Sequence, residues 1–174
     1  MNDNAPSYPT AVVQPYRDEL TAVGFKELLT PADVDAALDK KDDKIILVVV
    51  NSVCGCSARS ARPGTVLSLL NRVVPDEYVT LFAGMEKEAV SHFRTKYLQG
   101  ITPSSPNIAL FQNGKFLYIL HRYQIEGKNA MGIVQDLTNA YDKVCTKVSS
   151  REGIDQLKSY IEGRYPANIE SLTP

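Results

Sequence analysis

The sequence has little of three things: long apolar runs, net charge and cysteine. Its longest apolar run is far too short to span a bilayer, and its start, MNDNAPSYPT, lacks the basic and then apolar pattern of a signal peptide. Lysine plus arginine (19) nearly balance aspartate plus glutamate (20), so the net charge of −1 gives no reason to expect nucleic acid or a membrane surface as a partner. These absences predict a cytoplasmic globular protein, and 174 residues are within the usual size of one domain.

Cysteine is scarce, and two of the three cysteines, Cys54 and Cys56, stand one residue apart. In a reducing compartment, so few cysteines argue against a framework of structural disulfides and favour catalytic or redox use. A metal site is one alternative, but zinc usually takes four donors, and the other candidate donors form no second paired motif: Cys145, His92 and His121. A pair of buried, inert cysteines is the other alternative. We assign no metal.

The segment around these cysteines has the pattern of a strand followed by a helix. Residues 45–50 are all aliphatic, which favours a central strand with helices against both faces. Residues 57–74 place apolar side chains at i, i+3, i+4 and i+7, which predicts a helix with one buried face: Val66, Leu69, Leu70 and Val73. The two cysteines therefore lie in the turn at the carboxyl end of a central strand, where open α/β sheets usually present reactive groups.

This position predicts a reactive Cys54. The thiolate is the nucleophile, and a helix N-terminus carries partial positive charge that favours an anion. Arg59 and Arg62 add full positive charges nearby, so we expect a lowered pKa for Cys54. Gly55 permits the unusual dihedrals of a disulfide that crosses one residue. So small a ring should be strained and easily reduced, which predicts an oxidising or isomerising cysteine pair.

Helical signals precede the central strand. Residues 1–10, with two prolines and several small polar residues, predict a flexible arm, and the pattern that follows predicts a helix ending at Gly24. Thr30 predicts the N-cap of a second helix, with Pro31 at its first position and Asp33 at its third.

After the cysteine segment, a strand over 78–83 and a helix over 86–98 continue the alternation and imply parallel strands in the core. Asn113 and Gly114 between two apolar runs predict a tight hairpin turn. The hairpin strands are expected over 107–111 and 116–120, and their antiparallel pairing makes the sheet mixed.

Two more helices are expected toward the end of the chain. One carries Val134, Leu137, Tyr141 and Val144, and the other carries Ile154, Leu157 and Ile161. We assign residues 11–145 to one domain and residues 146–174 to a helical extension with a loose tail over 165–174. Covering of the core and self-association are both open roles for this extension.

The order of elements and several motifs resemble known proteins. Pro106 stands just before the first hairpin strand, which makes the Ser105-Pro106 bond a candidate for a cis peptide, and a cis proline beside a dithiol turn is the arrangement of the thioredoxin fold. The motifs VVVNSVCGC, ARP, LFAG, SSPNIALF and IEG resemble the bacilliredoxin family, as does the front segment VVQPYRDELTAVGFKELLTPADVD. The resemblance implies an α/β fold, a thioredoxin-like three-layer sandwich with a central mixed β-sheet flanked by helices.

The resemblance also implies a function and a site. It implies a cytoplasmic thiol-disulfide oxidoreductase that removes bacillithiol, a low-molecular-weight thiol, from mixed disulfides on client proteins, with disulfide isomerase activity also attributed to such folds. It implies no bound cofactor, because the thiol is a co-substrate. By position, Cys54 matches the attacking cysteine, Cys56 the second cysteine, and Ser105-Pro106 the loop that faces them. Cys145 matches a cysteine near the family's C-terminus, for which packing is favoured over a third redox role because its neighbours offer no electropositive, accessible site.

One departure from the family pattern is Tyr123 in HRYQIEG, where a histidine or acidic residue is expected, and this argues against a proton relay there. Two other functions stay open. One is a non-catalytic thioredoxin-like module that senses redox state and binds an extended partner strand near Pro106. The other is a metal carrier that uses Cys54, Cys56 and a third donor.

Overall fold

The computed structural model describes residues 3–165 of the chain. Within this range the strands are β1 (Lys26–Glu27), β2 (Ile46–Asn51), β3 (Val73–Val74), β4 (Glu77–Phe82), β5 (Asn107–Gln112), β6 (Lys115–Leu120) and β7 (Lys147–Val148). The α-helices are α1 (Thr10–Thr21), α2 (Pro31–Leu38), α3 (Arg62–Ser68), α4 (Lys87–Tyr97), α5 (Arg122–Glu126), α6 (Ala130–Val144) and α7 (Arg151–Glu162). None of the helices in this range is both long and apolar enough to cross a membrane.

The main sheet has β2 at its centre. Its strand order is β1-β4-β2-β5-β6, and β2 runs parallel to β4 and antiparallel to β5. All six residues of β2 are buried, as expected for a strand that is covered on both faces. The predictions of a central strand and of a mixed sheet are confirmed.

Helices cover both faces of this sheet. Leu47 and Val49 pack on one side with buried residues of α3, α6 and α7, while Val48 and Val50 pack on the other side with α2 and α4. Successive side chains of a strand point to opposite faces, so the unbroken aliphatic run of β2 supplies both apolar layers. The result is the predicted three-layer α/β sandwich, and its central strand leads directly into the cysteine turn.

Two local predictions are confirmed in detail. Asn113 and Gly114 form the β5–β6 turn with positive φ angles of 52° and 81°, which is the conformation that favours this residue pair. Thr30 caps α2: its hydroxyl accepts a hydrogen bond from the Asp33 N–H at 3.1 Å, and the Asp33 carboxylate accepts one from the Thr30 N–H at 3.2 Å.

The helix predicted over 57–74 begins where expected but ends earlier than predicted. It begins with a π-helical turn, Ser57–Ala61, continues as α3 and ends at Ser68. The Asn71 side chain then donates a hydrogen bond to the Val73 carbonyl at 2.8 Å, a turn-forming contact that is typical of asparagine. Val73 consequently lies in a strand, where it pairs with Val148 of β7.

The two ends of the described range contact the domain. The Ser7 N–H donates to the Gly84 carbonyl at 2.7 Å, within the segment predicted as a flexible arm. The predicted C-terminal helix is present as α7, and Ile161 is fully buried against the core. The loose tail predicted over 165–174 lies outside the described residues apart from Tyr165, and the domain boundaries after residues 10 and 145 stay predictions.

Candidate active site

Cys54 lies in the turn that connects β2 to the π-helical turn and α3. It is half-buried, and its sulfur accepts a hydrogen bond from the Ser57 N–H at 3.4 Å. Its own N–H donates to the Ser52 hydroxyl at 3.3 Å. The chain leaves the central strand and immediately begins a helical turn, which places the Ser57 N–H of that turn against the sulfur. The predicted location of the thiol is confirmed.

The surroundings of the two thiols push their pKa values in opposite directions. Burial acts to raise the pKa of Cys54, but hydrogen bonds from Cys56, Ser52 and the Ser57 N–H, with the positive charge of Arg122, lower it overall. Burial raises the pKa of Cys56, and its contact with Cys54 raises it further. Cys54 is therefore the more acidic thiol of the pair, with Cys56 as its hydrogen-bond partner.

The two cysteines open into a surface pocket of about 650 Å³. Three cationic side chains line it, those of Arg59, Arg122 and Lys128, together with one carboxylate, that of Glu126. Arg59 is exposed, and its guanidinium lies beside Gly55. A Cβ added to Gly55 would be 3.4 Å from a terminal nitrogen of Arg59. Positive charge around an accessible sulfur favours the thiolate and suits a negatively charged thiol compound.

Arg122, which the sequence analysis missed, connects this pocket to the proline loop. Its Nε donates to Glu126 at 2.6 Å, and one terminal nitrogen donates to the Ser105 carbonyl at 3.2 Å. The Ser105-Pro106 bond is cis, as the sequence suggested. Because Val50 of β2 is opposite Asn107 of β5, the loop ends beside the cysteine turn. The one available sequence signal was a basic residue just after the last strand of the hairpin.

Arg62 is placed differently from the sequence expectation. It is 1% exposed, and one terminal nitrogen donates to the Ser52 carbonyl at 2.8 Å and to the Asn51 and Ser57 side chains, each at 3.0 Å. Its Nε lies 3.2 Å from a carboxylate oxygen of Glu19, so its charge is paired inside the protein. Arg62 therefore contacts the cysteine turn from the protein interior and does not line the pocket, because a buried charge needs a buried partner.

Two further residues from the sequence analysis lie apart from the thiol pocket. Cys145 is 8% exposed at the end of α6, where burial, with Asp76 and Asp142 nearby, raises its pKa to about 12. These are the properties of a packed, protonated thiol. Tyr123 is 72% exposed and stacks on His121 with ring centroids 5.3 Å apart.

Among the residues that the structure describes, no three His, Cys, Asp or Glu side chains are grouped so that they could hold a metal ion. Cys54, Cys56 and Cys145 are all free thiols. The site as it stands offers two neighbouring thiols, of which Cys54 has the lowered pKa, in an open pocket that cationic side chains line.

Comparison with known proteins places the chain among its relatives. A sequence model of a family described as disulphide isomerase matches residues 8–145. A bacilliredoxin of Salinibacter ruber is 47% identical over 139 residues, which are 79% of this chain and 81% of the relative. A bacilliredoxin of Staphylococcus aureus is 41% identical over 145 residues, which are 83% of this chain and 98% of the relative.

The chain belongs to the bacilliredoxin family.

This bacilliredoxin-family chain has a thioredoxin-like fold and is a thioredoxin-like redox protein. Solved structures with similar folds include an oxidised thioredoxin from Plasmodium falciparum, 15% identical, covering 68% of this chain and 99% of that one with a TM-score of 0.44. Another is the Trxlp protein from Edwardsiella tarda, 21% identical, covering 64% and 97% with a TM-score of 0.43. The β7 strand and α7 lie beyond the segment that the family match covers.

Proposed function

We propose that this protein is a thiol-disulfide oxidoreductase that reduces mixed disulfides between client proteins and a low-molecular-weight thiol, bacillithiol, with Cys54 as the nucleophile. One observation carries the proposal: Cys54 has a lowered pKa and opens into a pocket lined by cationic side chains. The names of the relatives support the choice of thiol. The proposed setting is the reducing cytoplasm, where a free dithiol persists.

The first step is attack on the mixed disulfide. The Cys54 thiolate attacks the sulfur of the small thiol, a new disulfide forms between them, and the bond to the client sulfur breaks. The client leaves as a thiolate and takes a proton from solvent. The client is thereby reduced, and Cys54 carries the small thiol. Arg59 and Arg122 lie where they would face acidic groups of that thiol, since both line the same pocket.

The second step restores Cys54 by one of two routes. Cys56 can lose its proton and attack Cys54, which releases the small thiol and closes a Cys54–Cys56 disulfide that an external thiol must later reduce. Alternatively, a second small-thiol molecule attacks the adduct, leaves as a symmetrical disulfide and regenerates the Cys54 thiolate. Burial is the first cause of the raised pKa of Cys56, and unlike the effect of the Cys54 thiolate it persists in the adduct, which favours a protonated Cys56 and the second route.

Isomerase activity is part of the same proposal. An attack by Cys54 on a disulfide within a client gives a mixed disulfide with the client, which a different client cysteine can displace. The family description supports this activity. Recovery of enzyme activity from a scrambled client, measured with and without the protein, tests it.

The deciding experiment is intact-mass analysis of reduced protein after incubation with a bacillithiol mixed-disulfide substrate. We expect one bacillithiol adduct on Cys56→Ser, because the nucleophile is retained and the resolving thiol is gone. We expect no adduct on Cys54→Ser and an unchanged result for the control Cys145→Ala, since Cys145 lies outside the pocket. An untouched substrate with every variant would contradict the proposal and would favour a non-catalytic binding module.

A further inference from the structure

A buried carboxylate joins the C-terminal segment to the base of the cysteine turn. Glu19 of α1 is 9% exposed and contacts three side chains. The Tyr165 hydroxyl donates a hydrogen bond to one of its oxygens at 2.8 Å, and the Arg62 Nε forms an ion pair with the same oxygen at 3.2 Å without hydrogen-bond geometry. A terminal nitrogen of Arg164 lies 3.2 Å from its other oxygen. Two of the three contacts therefore come from the residues that follow α7.

The same network reaches the reactive sulfur. Arg62 donates to the Ser52 carbonyl and to the Ser57 side chain, which are the two sides of the cysteine turn. The Ser57 N–H in turn donates to the Cys54 sulfur. Each link is a contact between buried or half-buried groups, so water does not substitute freely for any of them.

Burial makes the position of Arg62 sensitive to Glu19. A guanidinium that is 1% exposed needs a partner for its charge, and Glu19 is the carboxylate that supplies one. The Tyr16 ring packs on the guanidinium, whose Cζ lies 4.5 Å from the ring centroid, and the Glu19 carboxylate lies beside the Nε, which makes no hydrogen bond. Loss of the Arg164 and Tyr165 contacts would free the Glu19 carboxylate to turn toward solvent, and Arg62 would lose its fixed partner.

We propose that Arg62 is a positioning residue for Cys54, and that Glu19, clamped by Arg164 and Tyr165 of the C-terminal segment, holds Arg62 in place. Part of the chain beyond the family-matched residues thereby supports the reactive turn. The inference takes from the proposed function only that Cys54 is the reacting thiol. It does not depend on the identity of the disulfide substrate.

The test uses peripheral substitutions, because Arg62 itself is so deeply buried that its variants could fail to fold. Tyr165→Phe removes the hydroxyl that contacts Glu19 and leaves the ring. Tyr78→Phe is the matched control: it removes the hydroxyl of a β4 tyrosine whose ring contacts Phe25 and Lys147 and which has no contact with Glu19 or Arg164. The readout is the rate of Cys54 alkylation by iodoacetamide as a function of pH, located by peptide mass, with urea unfolding measured in parallel.

We expect Tyr165→Phe to move the Cys54 alkylation profile to higher pH and to lower the rate at neutral pH by about two- to fivefold, because the Ser57 N–H is less well held against the thiolate. Arg164→Gln should move the profile in the same direction, and Tyr78→Phe should match wild type. A purely structural role would lower the urea midpoint and leave the profile where it is. That outcome, or equal profile shifts in Tyr165→Phe and Tyr78→Phe, would overturn the proposal.

Alkylation needs no mixed disulfide, so this test can fail while the adduct experiment above succeeds, and the reverse is also true. The two proposals are therefore tested independently of each other.

Discussion

The contact between α3 and α6 leaves no space for a side chain at Gly64, and Gly64→Ala tests how tightly the reactive helix is held. A Cβ at this position would be 2.5 Å from the Ile133 Cβ, 2.7 Å from its Cγ2 and 2.9 Å from the Ala130 carbonyl oxygen. Ordinary contacts between carbon atoms are about 3.5–4.0 Å, so roughly 1 Å of separation is missing. Two of these atoms, the Cβ and the carbonyl oxygen, cannot move by changing a rotamer, so the helices themselves must separate.

The cost follows from this geometry. Overpacking a well-packed core costs about 1–3 kcal/mol, and the rigid neighbours of Gly64 put this substitution at the upper end. Alanine is favoured over glycine in a helix by about 1 kcal/mol, which offsets part of the cost. We therefore expect the free energy of unfolding to fall by about 2 kcal/mol. In a protein of this length the melting temperature should drop by about 4–8 °C.

Urea unfolding followed by circular dichroism measures this change. Gly64→Ala should lower the midpoint without changing the slope of the transition. The matched control is Gly127→Ala, where a Cβ meets nothing within 4 Å and the φ of −82° suits alanine. We expect the control to be as stable as wild type or more stable by up to about 1 kcal/mol. Equal midpoints for the two variants would refute the idea that α3 and α6 are in closest contact at Gly64.

Two further predictions concern the thiols. The alkylation rate of Cys54 should rise with pH to a plateau, with its midpoint below the ordinary pKa of a thiol, because only the thiolate reacts and the pKa of Cys54 is lowered. Cys56→Ala removes a hydrogen bond that lowers the pKa of Cys54, so the alkylation profile should move to higher pH. An unchanged profile would show that Cys56 does not stabilise the Cys54 thiolate. Cys145 should stay unlabelled by iodoacetamide near neutral pH in the folded protein, because burial raises its pKa to about 12, and should be labelled in denaturing urea. Labelling of native Cys145 at the rate of Cys54, seen by peptide mass, would show that the end of α6 opens.

Much of the fold could be predicted because its signals are local. The aliphatic run of β2, the Asn113-Gly114 turn and the Thr30 cap each depend on residues within a few positions of one another. The end of α3 was harder, since Leu69 and Leu70 are buried as predicted although they lie outside the helix. The periodicity of apolar residues therefore predicted correctly which side chains are buried, but it did not predict where the helix ends.

The candidate site was predictable only in part. The location of Cys54 follows from the strand and helix on either side of it. The role of Arg62 does not, because a positive residue eight positions from Cys54 looks the same in a sequence whether it faces the pocket or a buried partner. Its partner Glu19 is an ordinary helix carboxylate by pattern, and Arg122 reaches the site only through the fold. An ion pair between residues that are distant in the sequence cannot be recognised from the residues next to either partner.

The strand order of the main sheet has a consequence for how the chain reaches its native state. Among the strands of this sheet within residues 3–165, β5 and β6 are the only neighbours that are also consecutive along the chain, joined by a two-residue turn. Such a hairpin closes a short loop and forms within microseconds, whereas pairings between distant segments must first overcome the entropy of closing longer loops. The strand that carries the thiol turn pairs with β4 and β5, neither of which is its neighbour in such a hairpin. We therefore expect the hairpin to assemble early and the redox turn to acquire its shape late, when β2 joins the two halves of the sheet.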